Sequence, residues 1–566
     1  MRAVVAPLAA LALFAPRLAL AGLGPAHVMV VYNADAVGAK EVADQYVKAR
    51  ALPAGHVCAL SGLDPKVTSI DLTTWDSKVR KPLDACLAAA PEPDEIDALV
   101  TVRGLPYLVK LSTGVIGFEA LLQVGHGTKD GVEFSTLAQG PSASVPNPLF
   151  VKGGLSSEFT ISNPYQDWYK SSAKVVSQKV APPAFTRLGV VDKGASIKVQ
   201  KQLYVVARLD GFDFVDAAAL ITRAIDAEKS TPPKGTLLCM HGADDARGAR
   251  DPECEHATRM LKAAGFDATW LPTFDGKLTG KTVSAYFTGA DSLRDAIAGN
   301  TYAPGAVVDN LTSFGAVPQN FFCSADGKTC PASESQTSIA RFVRAGASFV
   351  HGTVAEPNNN VFPNAGALLH YTMGYSAGEA FLFHQQFLAW YNLHLGDPLL
   401  TPWAKRPEVT LGEARAGTLF AVKATHPDGV AKVRLYVAGK RVAEADGDTL
   451  TTTLPGAVGA RVDVLAVGIA KSATAKRTGW LEPSVEVHAD VQGWTAATLT
   501  IGAPLPVDPD GGPVADGGDA GNEGTPTTTD ESGCGCRHAS TSSTPRTYAG
   551  LAALGLLMLT RRRART

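Results

Sequence analysis

The sequence predicts a layered α/β body built on a largely parallel sheet, followed by an antiparallel β-sandwich. Three observations carry this. Apolar strand-like runs alternate with amphipathic helical segments up to about residue 406. Beyond Pro407 the helical segments stop, and short alternating runs separated by turns take over. The length, 566 residues, exceeds what one compact core holds. Hydrophobic residues make up 45% and charged residues 19%, so most of the chain can build a buried core. With 52 basic against 54 acidic side chains, there is no basic field to attract nucleic acid, and none is expected as a partner.

Each element follows from its own pattern. Residues 27–32 (HVMVVY) are a continuous apolar run typical of a strand buried on both faces. Residues 40–50 carry Val42, Tyr46 and Val47 at helical spacing, and Leu52-Pro53 ends that helix before a short strand at 57–60. Strand, helix, strand opens a βαβ unit. Residues 96–102 make a third strand running into Arg103-Gly104-Leu105-Pro106. Further on, 188–191 and 203–209 read as strands, 216–228 as an amphipathic helix and 235–240 as an apolar strand. Helix 255–264, strands 267–271 and 305–309, helix 338–345 and strand 347–350 complete a body spanning 22–406, with a division into 22–180 and 181–406.

Residues 408–411, 418–424, 432–437, 449–454 and 461–467 are short runs separated by Asp-Gly, Gly-Lys and Pro-Gly turns. They predict an immunoglobulin-like β-sandwich over 407–503, a fold whose usual role is support or adhesion.

The ends speak of export. Residues 1–21 (MRAVVAPLAALALFAPRLALA) have an early Arg2, an apolar stretch and small residues at Ala19-Leu20-Ala21, the pattern of a secretory signal peptide. Residues 504–533 are rich in Pro, Gly, Asp and Thr without an aromatic residue, the composition of an extended flexible linker. Then come Gly533-Cys534-Gly535-Cys536, an apolar segment at about 547–560, and the cluster Arg561, Arg562, Arg563, Arg565. That order of parts, within 534–566, resembles the MYXO-CTERM sorting tail of myxobacterial exported proteins. The resemblance implies processing at Gly533 and Cys534 by a C-terminal sorting protease, passage through the secretion machinery, and a transmembrane helix with its Arg cluster on the cytoplasmic side. Loss of both ends removes eight Arg and no acid, leaving 44 bases against 54 acids, a net charge of -10. Seven of those acids lie in the linker, so the stalk is the acidic element.

Cysteine use agrees with export. The body holds Cys58, Cys86, Cys239, Cys254, Cys323 and Cys330, an even number that could form three disulfides. Cys323 and Cys330 bracket a turn-like loop and are the favoured pair; Cys239 with Cys254 is the expected fate of those two. No Cys-x-x-Cys in the body has a matching His or Cys pair, so no zinc or other metal, and no cofactor, is expected.

The best polar cluster for chemistry sits at predicted carboxyl ends of strands: Asp309, Asn310 and Ser313 from one, His351 and Glu356 from another, with Arg103 from the first half. Asp309 and Glu356 near His351 could do acid/base work or hold a cation, against the plainer reading that they cap turns and shape a loop. Three His-Gly pairs occur, at His126, His241 and His351, so none is specific alone. Arg208 and Asp210 read as an ion pair at a strand end, and Asp397 as a turn residue.

Phrases such as VMVVYNADAVGAKEVADQYVKARALPAGHVCAL, LYVVARLDG, DNLTSFGAV, SFVHGTVAEP and LGDPLLTPW, over about 27–406, resemble an uncharacterised exported bacterial family found with exosortase-type sorting systems. A more distant resemblance is to the gingipain-like, caspase-fold cysteine peptidases, which share an α/β sandwich, a Gly-Asp-Pro near its end (here Gly396-Asp397-Pro398) and an immunoglobulin-like domain after it. Their chemistry needs a His-Gly at the end of one strand and a Cys at the end of the next. Here the strand ending at Asp309 has no His, and the Cys at 323 is expected in a disulfide. The favoured reading is therefore a non-catalytic surface platform; the alternative is a divergent caspase-fold hydrolase with a rearranged site.

Overall fold

The computed structural model describes residues 22–111, 114–124, 145–147, 173–174, 191–192, 204–229, 232–388, 390–471 and 491–505. The expected signal peptide at 1–21, His126, most of the strand expected at 188–191, nearly all of the expected linker, and the expected sorting tail with Gly533, Cys534 and the segment 547–560 lie outside them. Among the described residues no helix is long and apolar enough to cross a membrane.

The body is organised by one ten-stranded sheet. In chain order its strands are β1 (Val28–Asn33), β2 (Val57–Leu60), β3 (Ala98–Val102), β4 (Val205–Leu209), β5 (Thr236–Met240), β6 (Ala268–Leu271), β7 (Thr282–Thr288), β8 (Thr301–Asn310), β9 (Phe349–Thr353) and β10 (Asn392–Gly396). Across the sheet they run β6-β5-β7-β8-β9-β10-β4-β3-β1-β2. Strands β1 to β4 pair in parallel, and so do β5 to β9. β10 lies between the two groups, antiparallel to β9 from Phe349–Gly396 to Thr353–Asn392, and meets β4 at Arg208–Leu395. Every residue of β1, β3, β4, β9 and β10 is buried. Helices cover both faces, which is why β1 and β3 read as nearly unbroken apolar runs rather than alternating ones.

The helices used below are α1 (Ala39–Arg50), α2 (Lys81–Ala89), α3 (Phe118–Gln123), α4 (Phe214–Lys229), α5 (Asp251–Ala263) and α6 (Ile339–Ala345). β4 pairs with β3, so β1 to β4 make the first half of the sheet and β5 to β9 the second. Within each half the chain winds both ways from its first strand. β1 lies between β2 and β3, and β5 between β6 and β7. These are topological switch points, where loops leaving adjacent strands part and open a crevice.

Gly396-Asp397-Pro398 is more than a turn. Asp397 is fully buried; it accepts from the Leu399 amide at 2.9 Å, from Tyr46 Oη at 2.7 Å and from Arg50 Nε at 2.5 Å. Arg50, at the end of α1, also grips Glu228 of α4 at 2.7 and 2.9 Å. Burial alone would raise the Glu228 carboxyl, but Arg406 and Arg50 hold it down at about 2. Three distant segments of the body are thereby tied at one point.

After the body come β11 (Glu408–Leu411), β12 (Phe420–Thr425), β13 (Val430–Val437), β14 (Lys440–Asp446), β15 (Thr449–Thr452), β16 (Arg461–Ala470) and β17 (Gln492–Thr500). They form two antiparallel sheets, β11-β12-β15 and β14-β13-β16-β17, whose inner faces share a core of Phe420, Val422, Leu435, Leu450, Val464 and neighbours. β14 was not expected from the sequence. It is a charged edge strand with no buried residue, so no alternation marks it.

The sandwich is docked firmly on the body. Tyr436 Oη donates to Glu95 at 2.8 Å, the Arg441 amide to Glu92 at 2.9 Å, and Arg406 to the Gln492 carbonyl at 2.7 Å while stacking over Trp494. Ala26, Tyr436, Leu465, Val467 and Ile469 make an apolar cluster across the junction. His27 lies beside it, accepting from the Gly24 amide at 3.1 Å. Burial, reinforced by the nearby Arg434, lowers its pKa to about 3. A base with a depressed folded pKa stabilises the fold fully above its unfolded pKa and loses that contribution as pH falls toward the folded value. Unfolding by urea at stepped pH should therefore show stability lost from about pH 6.5 downward, and His27→Asn, which keeps an acceptor, should flatten that loss. Identical slopes in the two proteins would contradict the assignment.

Candidate functional site

The polar cluster predicted at the strand ends divides in two. β8 ends on Asp309 and Asn310, and parallel pairing sets Asp309 beside His351 of β9. His351 Nδ1 lies 3.1 Å from Asp309 Oδ1 and its Nε2 lies 2.7 Å from Asn392 Oδ1, the first residue of β10. Arg250, just before α5, closes the group. One guanidinium nitrogen pairs with Asp309 Oδ2, the other donates to the Asp309 carbonyl at 2.8 Å and to the Thr288 carbonyl, and the plane lies 5.2 Å from the Phe287 ring centre. Asp309 and His351 have no solvent exposure. Burial alone would push the Asp309 carboxyl up, yet Arg250 and His351 hold it below the ordinary carboxylate range. Asn310 exchanges two hydrogen bonds with the Ala290 backbone, at 2.8 and 2.9 Å, and so braces the loop after β7.

Ser313 and Glu356 are elsewhere, at the surface. Ser313 Oγ donates to Glu356 at 2.6 Å, and no described contact joins that pair to His351. The five residues therefore form no shared pocket. Asp309, Asn310 and His351 belong to a sealed core network, and Ser313 with Glu356 to an exposed loop contact.

Arg103 also departs from the cluster. It joins a second network at the ends of β3 and β4, donating to Asp210 Oδ1 and to the Gly211 carbonyl, both at 2.6 Å. Tyr107 Oη donates to the other oxygen of Asp210 at 2.8 Å. Arg208 pairs with Asp210 at 3.4 Å and with Glu119 of α3 at 2.7 Å, and donates to the Pro106 carbonyl at 2.6 Å.

The second switch point carries His241 and Asp251. His241 follows β5, and its Nδ1 meets Asp251 at the start of α5, with the imidazole partly exposed. The Thr288 hydroxyl donates to the His241 carbonyl at 3.4 Å, and no described hydrogen bond brings a hydroxyl or thiol to the imidazole.

The thiols are not available either. Cys58 and Cys86 join β2 to α2, and Cys323 and Cys330 close their short loop, with Cα–Cα separations of 5.6 and 4.3 Å. Cys323 follows a 3₁₀ turn, Pro318–Phe321, instead of ending a strand. Cys239 and Cys254, expected as a bridge, are free thiols, buried side by side between β5 and α5. A hydrogen bond from Cys239, with burial, pushes the Cys254 thiol well above its usual value. Among the described residues no group of three or more His, Cys, Asp and Glu is placed to hold a metal ion.

No protein-family model matches the chain, and no curated protein matches it. Solved structures similar to it include the Arg-specific cysteine proteinase gingipain R, at 10% identity over 84% of this chain and 98% of that one, with a TM-score of 0.39. The complex of the pro- and mature domains of Porphyromonas gingivalis RgpB is similar over 84% and 100%, at 10% identity and a TM-score of 0.38. A fibronectin(III)-like module structure of Clostridium thermocellum CbhA covers 21% of this chain and 56% of that one, at 10% identity and a TM-score of 0.12.

Sequence reasoning missed Arg250, Asn392 and Glu253. Arg250 lies in a polar loop and Asn392 in a strand whose Asn and His break its apolar run, so only the fold reveals them. Glu253, on the buried face of α5, faces the same region; burial, opposed by Arg250, raises its pKa to about 7. A carboxyl with a raised folded pKa favours folding below its unfolded pKa, and that contribution is lost as pH rises through the folded value. Glu253→Gln should therefore gain stability over the parent above about pH 7 and none below about pH 4.5 in urea titrations. A gain that is the same at every pH would contradict this.

Proposed function

We propose that this is an exported, envelope-attached protein whose α/β body and docked sandwich form a non-catalytic binding platform. The observation that carries the reading is the state of the strand ends and the thiols. The described parallel strand ends of the second half carry Met240, Leu271, Thr288, Asn310 and Thr353; the one cysteine near them, Cys239, lies two residues before His241 but is buried, and the His241 imidazole pairs with Asp251. A cysteine nucleophile needs exposure and a lowered pKa. Of the six cysteines among the described residues, four are bridged and two are buried, with Cys254 shifted the other way. His351, which could serve as a base, has both ring nitrogens occupied inside the core.

Attachment rests on the ends of the chain: the signal pattern at 1–21, the acidic linker and the Gly-Cys, apolar, Arg-rich order of the tail. In this reading the linker spaces the platform from the envelope, its negative charge keeping it extended.

Iodoacetamide labelling of the native protein tests the catalytic question. Cys239 and Cys254 should remain unmodified until the chain is unfolded, and incubation with peptide libraries should show no cleavage that labelling abolishes. Stoichiometric labelling of either thiol in the folded protein, with parallel loss of a peptidase activity, would overturn the platform reading.

A further inference from the structure

The first switch point holds a crevice of about 290 Å³, between the loops that follow β1 and β3. It is built in advance. Asn33, the last residue of β1, donates to the carbonyls of both Leu63 and Gly104 at 2.9 Å, tying three loops together. Gly104 has φ +102, and a Cβ there would lie 2.4 Å from the Ala36 methyl, so only glycine lets the two loops meet at this floor. The walls are mostly apolar, with Val67, Leu105, Phe214 and Phe322 among them. At the mouth, Val37 is 93% exposed and Val67 40%. Large apolar side chains held in water around an apolar recess are the mark of a binding site.

Two charges face this recess, and they have opposite signs. Arg103 sits between Phe214 and Phe322, its guanidinium carbon 6.0 and 5.8 Å from their ring centres. Nη1 places its hydrogens on Asp210 and the Gly211 carbonyl, and Nη2 places one on the Phe321 carbonyl at 3.3 Å. Among the described residues no partner takes the Nε hydrogen or the second on Nη2. Those two donors form the side-on fork that suits a carboxylate. Asp35 uses one oxygen, Oδ2, on the amides of Gly62 and Leu63, at 2.5 and 3.3 Å, and its other oxygen has no partner among the described residues. A second anion is disfavoured next to Asp35, whereas an ammonium is favoured.

We propose that the crevice binds a small zwitterion with an apolar side chain, of the size of an amino acid or dipeptide. Its carboxylate would meet Arg103, its ammonium Asp35, and its side chain the wall of Val67, Phe214 and Phe322. The volume, at the small end for ligand sites, sets the size. This inference rests on reading the body as a binding platform and gives that platform its ligand.

The test is saturation-transfer NMR and calorimetry on the full chain, with L-phenylalanine and L-leucyl-L-leucine as probes. At least one should bind saturably. For the probe that binds, its C-terminal amide should bind at least tenfold more weakly, because the fork loses its acceptor. Its N-acetyl form and Asp35→Asn should each cost about threefold, the size expected for one exposed charge pair. Val67→Trp, at a partly exposed position that leaves the ion pairs intact, should abolish binding by filling the recess. Absence of saturable binding by both probes, or binding unchanged in Val67→Trp, would overturn the proposal. Neither result would alter the thiol labelling, so failure here is separable from failure of the platform reading.

Discussion

The pairing of Arg250 with Asp309 is the interaction on which the centre of the second half depends. Asp309 ends β8 with no solvent exposure, and a lone buried carboxylate costs several kcal/mol. Arg250 supplies the opposite charge, and it also takes up the Asp309 and Thr288 carbonyls, so the ends of β7 and β8 are fastened by one side chain. With Asp309 fixed, His351 is fixed too, and Asn392 closes its far side. One guanidinium thus satisfies a carboxylate and two strand-end carbonyls.

The same device recurs. Arg208 joins Asp210, Glu119 and the loop carbonyls after β3, and Arg50 joins Asp397 and Glu228 where α1, α4 and the segment after β10 meet. Each arginine caps a place where several segments end together, and the aspartate it meets lies in a phrase that reads like a motif: DN at 309–310, RLDG at 208–211, GDP at 396–398. These charged phrases are explained by architecture. Arg103 stands apart because it is fastened on one side only and turns its remaining donors toward a crevice.

Much of the fold is legible in the sequence because a sheet covered on both faces requires largely apolar strands, as at 28–33 and 98–102, and at 205–209 apart from Arg208. β7 and β10 escaped that reading. β7 carries Thr and Ser among its apolar residues, and β10 carries Asn and His, so neither forms a continuous apolar run. The candidate site was only half legible. Residue types at strand ends pointed to Asp309 and His351, but exposure decides whether such residues act, and exposure depends on Arg250, which sits 59 positions from Asp309 in the chain. The fate of Cys239 and Cys254 was equally hidden, since proximity alone does not oxidise a pair of thiols.

A double-mutant cycle on Arg250→Met and Asp309→Leu, followed by urea unfolding, tests the sealed-network account most directly. Each single change leaves a buried charge without its partner and should cost about 3–5 kcal/mol. The double variant leaves neither and should recover a large part of that loss. Additive losses, or an Asp309→Leu protein as stable as the parent, would show that the pair does not hold the strand ends and that Asp309 is free for another role.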